Sequence, residues 1–89
     1  MKKIKLDSGI TLEVADNAID DMELFELLIS IDEGNGTAVP KALEKLIGKA
    51  QKEKLYDSLR KEDGIVRITD VQKAFLAIFE KLGDKGKNS

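Results

Sequence analysis

At 89 residues, the chain is long enough for one folded domain and too short for a second hydrophobic core. It has no cysteine and no histidine, which excludes a disulfide framework, a thiolate metal site and a histidine general base. Its 15 basic and 17 acidic residues are interspersed and give a net charge of −2, which argues against a nucleic-acid-binding face. Because no apolar run reaches membrane-spanning length and no signal-peptide core follows the start, we expect a cytoplasmic protein.

The first predicted element is a β-hairpin over Lys2 to Val14, where apolar and polar side chains alternate. The connection Asp7-Ser8-Gly9 fits a three-residue loop in which Gly9 takes the positive φ. This loop sets Lys3 opposite Glu13. The apolar residues of the shared face are Ile4, Leu6, Ile10, Leu12 and Val14. That face is expected to pack on helices, because a lone hairpin is only marginally stable.

The first helix is predicted from about Ile19 to Ile31, after turn and capping residues at Asp16 and Asn17. Its first turns are acidic, as the helix dipole favours. Its apolar residues cover roughly 220° of the helical wheel, against ~100° for an ordinary surface helix. They are Met22, Leu24, Phe25, Leu27, Leu28, Ile29 and Ile31. This width fits either a central helix or a surface for a partner or for self-association. The candidate partner-binding residues are Leu24, Phe25, Leu27, Leu28 and Ile31.

Two shorter helices are expected next, after a glycine-rich loop over residues 32–37. One begins near Pro40 and ends at Ile47, with Gly48 as its C-terminal stop. The other runs from about Lys49 to Lys61 and carries a thin apolar stripe, so most of its surface is expected to face solvent.

The last helix is predicted after a turn at residues 62–64 and an extended segment, Ile65 to Ile68, that is a candidate third strand. Thr69 followed by Gln72 matches a capping box at its start. Its apolar stripe is Val71, Ala74, Phe75, Ile78, Phe79 and Leu82. We therefore predict an α+β fold, a hairpin packed on about four helices. The domain spans residues 1–83, and residues 84–89 are expected to be a disordered tail.

Three short motifs are better explained without chemistry. Residues 62–66 resemble the middle of a calcium loop, but other ligand positions hold Leu59 and Lys61. Asp57-Ser58-Leu59 matches the attachment tripeptide of acyl carrier proteins, but Ser58 lies inside a predicted helix. The acidic residues at the start of the first helix complement its dipole. No catalytic residue, metal site or cofactor is therefore predicted, and the chain is expected to act by binding.

Several stretches together resemble a known group of proteins. They are Ile10–Val14 through Asp20–Leu24, Lys45–Gly48 with Gln51-Lys52 and Leu55-Tyr56, and Arg60–Val66. These stretches are similar to small tail assembly chaperone-like proteins of long-tailed phages and prophages of Gram-positive bacteria. The likeness covers roughly residues 4–82. One departure is the predicted hairpin, because the better-known members of the group are helical.

The resemblance implies a protein that acts in the cytoplasm of the host bacterium and is absent from the finished virion. Such proteins are thought to coat the long tape measure protein while tail tube subunits polymerise around it. The implied partners are therefore the tape measure protein and the tail tube protein, and self-association into a homo-oligomer is compatible with the role. The group has no catalytic residues to carry over. Two alternatives stay open: a structural component of the head–tail junction or tail tube, and a small host regulatory or antitoxin-like adaptor.

Overall fold

The computed structural model describes residues 1–83 and has an α+β fold, an antiparallel hairpin followed by three helices. The elements in chain order are β1 (Lys2–Lys5), β2 (Thr11–Val14), α1 (Met22–Asp32), a short 3₁₀ helix (Gly36–Ala38), α2 (Val39–Leu59) and α3 (Ile68–Gly83). The predicted tail, residues 84–89, lies outside the described residues. Within the described residues, no helix combines the length and the apolar character that crossing a membrane requires.

The hairpin has the predicted register, with Lys3 paired with Glu13 across β1 and β2. Gly9 takes a φ of 97° in the loop, where a side chain would be strained. One face of the hairpin is buried and carries Ile4, Leu6, Leu12 and Val14, with Ile10 half-buried beside them. The alternation of apolar and polar residues therefore identified both the strands and the face that packs on the helices.

The start of α1 differs from the prediction. The helix begins at Met22, and Asp21 rather than Asp16 or Asn17 is its N-cap. The Asp21 carboxylate accepts a hydrogen bond from the Leu24 backbone N–H at 3.1 Å, which satisfies a donor that the first turn leaves free. The preceding residues form turns instead, with the Asp20 N–H donating to the Asn17 carbonyl.

The two predicted middle helices are the two halves of α2, which is broken at Gly48. Gly48 has φ 84° and ψ 160°, a conformation that is essentially restricted to glycine. Beyond the break, the Gln51 side chain accepts a hydrogen bond from the Glu13 backbone N–H and donates one to the Glu13 carbonyl, each at 2.7 Å. The break therefore lets α2 dock against β2.

Two predictions about the start of α3 were wrong. Ile65 to Arg67 is not a strand, so the sheet of the described residues has two strands. The Ile65 carbonyl accepts a hydrogen bond from the Lys61 N–H at 3.0 Å, which holds the segment in a local loop. Thr69 is not a cap, because α3 already begins at Ile68.

The core is formed by one face of each element. In α3 it takes the predicted stripe, with Val71, Phe75, Ile78 and Leu82 buried and Ala74 and Phe79 partly buried. The rings of Phe75 and Phe79 meet edge to face with centroids 5.0 Å apart. The first half of α2 supplies most of the opposing surface through Val39, Ala42, Leu43, Leu46 and Ile47. Leu55 supplies the second half's buried residue.

Candidate partner-binding surface

The five candidate residues of α1 separate into core and surface. Leu24 is 1% exposed and lies in the core, where its side chain is not open to a partner. Leu27, Leu28 and Ile31 are half-buried and pack against the same core. Phe25 is 53% exposed. The sequence placed all five on one wide face, but only Phe25 has most of its side chain open to a partner.

The exposed apolar side chains of α1 form a row of three that we call the apolar ridge: Met22, Phe25 and Ile29. They are 65%, 53% and 44% exposed, respectively. Spacings of three and four residues place them on one side of the helix, roughly opposite Leu24. Met22 and Ile29 belonged to the predicted wide face but not to the candidate contacts. Their wheel positions place them opposite Leu24 and Ile31, and packing against α2 decides which of these two sides faces the core.

The surroundings of the ridge are acidic. The stretch Ile19 to Glu33 contains six acidic residues and no lysine or arginine. Two of the six are paired with α2: Lys45 Nζ lies 2.9 Å from a Glu23 carboxylate oxygen and 3.5 Å from one of Asp21. The other four have no ion pair within residues 1–83 and are Asp20, Glu26, Asp32 and Glu33. The ridge is therefore an apolar row set in a negative field.

The carboxylate at the start of α1 is held in its charged form. The hydrogen bond from the Leu24 backbone N–H lowers the pKa of Asp21; partial burial opposes this shift, and attraction to Lys45 adds to it. The hydrogen bond to Glu23 raises the pKa of Lys45, against a smaller effect of desolvation. Both shifts favour the ionised pair, so Asp21 and Lys45 fasten the N-terminal end of α1 to α2.

A second apolar feature lies between α2 and the start of α3. It is a groove of about 510 Å³ lined by Val39, Pro40, Tyr56, Val66, Ile68 and Val71, together with Gly36, Thr37 and Gln72. Ile68 is 75% exposed at its rim. Sequence reasoning missed this groove, because it assigned Val66 and Ile68 to a strand. The groove lies on a different helix pair from the ridge and carries no charged side chain in its lining.

The motifs weighed for chemistry are engaged in local contacts. The Ser58 hydroxyl lies inside α2, donates to the Leu55 carbonyl at 2.7 Å and lies 3.2 Å from the Ser8 hydroxyl. The Asp63 carboxylate uses one oxygen for the Ile65 backbone N–H and the other for the Arg67 guanidinium. No group of three or more acidic side chains converges in a metal-binding arrangement anywhere in the described range.

Comparison of the chain with protein-family models, with curated proteins and with solved structures finds no match. The functional interpretation therefore depends on the residues and surfaces of this chain and on the resemblance of its sequence stretches.

Proposed function

We propose that the protein is a non-catalytic tail assembly chaperone of a long-tailed phage or prophage, which binds the tape measure protein in the host cytoplasm. The observation that carries the proposal is the apolar ridge on α1, formed by Met22, Phe25 and Ile29. Three neighbouring apolar side chains that stay 44–65% exposed differ from the scattered exposed residues of an ordinary protein surface.

The chemistry of the surface suits such a role. A long helical client needs its apolar positions covered until tube subunits replace the chaperone, so the contact must be shallow and reversible. A convex ridge on one helix gives a small interface, and small interfaces are typical of transient complexes. The acidic residues around the ridge keep the free chaperone from associating through its own apolar surface. In this proposal the tail tube protein is a second partner, met when the client is handed over.

Co-expression with the tape measure protein from the same genome tests the proposal. The wild-type chaperone is expected to keep the client in the soluble fraction and to co-purify with it. The double variant Phe25→Ser with Ile29→Ser is expected to lose most of this co-purification. A matched control is Leu76→Ser on α3, because Leu76 is also exposed, at 62%, but lies outside the ridge.

Two results would overturn the proposal. One is a tape measure protein that is equally soluble with and without the chaperone and never co-purifies with it. The other is stoichiometric recovery of this protein from purified virions, which would identify a structural component instead. Gene order gives an independent check, since a chaperone gene is expected between the genes for the major tail protein and the tape measure protein.

A further inference from the structure

We infer that the apolar ridge binds a basic amphipathic helix, in which apolar side chains on one side are flanked by lysine or arginine. This assignment rests on the proposed function and deepens it, because it names the kind of client segment that is recognised. It follows from the shape of the ridge and from the charges on either side of it.

The shape favours a helix as the partner. Met22 and Ile29 are seven positions apart on α1, so the ridge extends about 10 Å along the helix axis at 1.5 Å per residue. A second helix can place the groove between its own rows of side chains over such a ridge, with apolar anchors three, four and seven residues apart.

The charges select a basic partner. On a wheel of 100° per residue, Glu26 lies on one side of the ridge and Asp32 on the other, and both are exposed. Neither forms an ion pair with any residue from 1 to 83. Lysine or arginine beside the apolar anchors of a partner would meet these carboxylates, which speeds encounter and fixes the register.

The same charges disfavour a second copy of this chain as the occupant. Two α1 helices packed ridge to ridge would bring their acidic borders together, and Ile19 to Glu33 has no basic residue to relieve the repulsion. Asp21 and Glu23 share the positive charge of Lys45 in the same chain, whereas Glu26 and Asp32 form no ion pair with any residue from 1 to 83. Charge complementarity therefore assigns the ridge to a cationic helix from another protein.

Binding of designed peptides tests this assignment. The probe is a fluorescent peptide of about 18 residues, long enough to become helical when bound, with leucine anchors on one side and lysine at the flanking positions. Two control peptides are compared with it: one has glutamate in place of lysine, and the other has the composition of the lysine peptide in scrambled order. In anisotropy titrations, the lysine peptide is expected to bind at least about tenfold more tightly than either, and less tightly as salt is raised.

Matched variants locate the binding surface. Phe25→Ser and Glu26→Lys are each expected to weaken binding of the lysine peptide by about tenfold. Leu76→Ser replaces another exposed apolar residue and Glu53→Lys another exposed glutamate, both outside the ridge, and both are expected to leave binding unchanged. Circular dichroism and thermal melts of all four variants establish that each is folded.

Four outcomes would overturn the assignment. Equal binding of the glutamate peptide would show that charge does not select the partner, and equal binding of the scrambled peptide would show that the helical pattern is irrelevant. Reversible self-association in analytical ultracentrifugation that Phe25→Ser abolishes would make a second copy the occupant. The proposed function is separable: if the tape measure protein still co-purifies with the Phe25→Ser, Ile29→Ser variant, the chaperone role stands and the ridge assignment fails.

Discussion

The helices α1 and α3 are both rich in apolar residues, yet they use them differently. In α3, Val71, Phe75, Ile78 and Leu82 are buried in a single stripe. In α1, Leu24 is the one fully buried side chain, although six other apolar residues share the helix. The remaining apolar surface of α1 is split between half-buried contacts and the exposed ridge. A count of apolar residues therefore does not tell how firmly a helix is held.

The difference follows from where each helix lies. The apolar face of α3 packs on α2 and shares one core with the hairpin, so its whole stripe is buried. The helix α1 packs on α2 and on the 3₁₀ helix along one side, and no described element covers the other. The apolar width of α1 therefore exceeds what the core covers, and the excess is the ridge that we propose as a partner-binding surface.

The largest expected contrast is between two phenylalanines. Phe75→Ala removes a buried ring of α3 and its edge-to-face contact with Phe79, and should lower the free energy of unfolding by about 3–5 kcal/mol. Phe25→Ala on α1 should change it by no more than about 0.5 kcal/mol, because the ring is largely exposed. Urea denaturation followed by circular dichroism measures both. Similar losses for the two variants would break the distinction between core and ridge.

The second largest contrast is expected in the rates of backbone amide hydrogen exchange in α1 and α3. The backbone N–H of Ile78 in α3 is surrounded by core side chains and is expected to exchange only through global unfolding. The N–H of Leu28 in α1 is expected to exchange at least about tenfold faster, through local opening of a weakly anchored helix. Native-state exchange by NMR provides both rates. Equal protection at the two positions would mean that α1 is held as firmly as α3.

A smaller effect concerns the cap of α1. Because the folded-state pKa of Asp21 is lowered from its ordinary value of 3.8, its ionised cap stabilises the fold above that value, and this stability is lost as the pH falls through the lowered pKa. Asp21→Asn keeps a capping oxygen but cannot titrate. Its melting temperature should therefore fall less steeply than that of the wild type between about pH 4 and pH 2. If the melting temperatures of the variant and the wild type fell equally steeply, titration of Asp21 would not contribute to the loss of stability in acid.

The last prediction is that calcium has no effect on the melting temperature. The unpaired carboxylates of α1 and the loop at Asp63 before α3 are both acidic, yet neither forms a convergent ligand set within the described residues. Millimolar calcium should leave the melting temperature unchanged, since only a ligand that binds the native state raises it. A rise that Asp63→Asn abolishes would identify the loop as a site, and one that Glu26→Gln abolishes would place the ion on α1.

Local patterns predicted the hairpin, its register and the break at Gly48. Strand alternation and a three-residue loop fix the pairing of Lys3 with Glu13 without reference to the rest of the fold. The α3 stripe could also be predicted from local sequence, because one face of that helix is buried along its length. These features share one property: nearby residues determine them.

The wrong predictions concern positions where several nearby residues suit the same role, or where packing against another element decides the structure. Asp16, Asn17 and Asp21 are all good caps, and Asp21 is the one whose carboxylate both accepts from the Leu24 N–H and lies beside Lys45 of α2, a contact that the local sequence does not show. The residues from Ile65 favour a strand, but the segment forms a local loop in which the Ile65 carbonyl accepts a hydrogen bond from the Lys61 N–H, and it pairs with neither strand of the sheet. The ridge was found in part: the width of the α1 face was visible, but the side that faces the core depends on α2.

The conformation of Gly48 also limits how its gene can change. At φ 84° and ψ 160°, a side chain of any L-residue is strained even though no neighbouring atom blocks a Cβ there. In a glycine codon, any change at the first or second base replaces the glycine, whereas a change at the third base is silent. We therefore expect nucleotide variation at this codon to be confined to its third base, while the codon of Gly83, at the end of α3, tolerates replacement. The backbone conformation at the break in α2 would then be visible in the gene, as a codon that varies only at its third base.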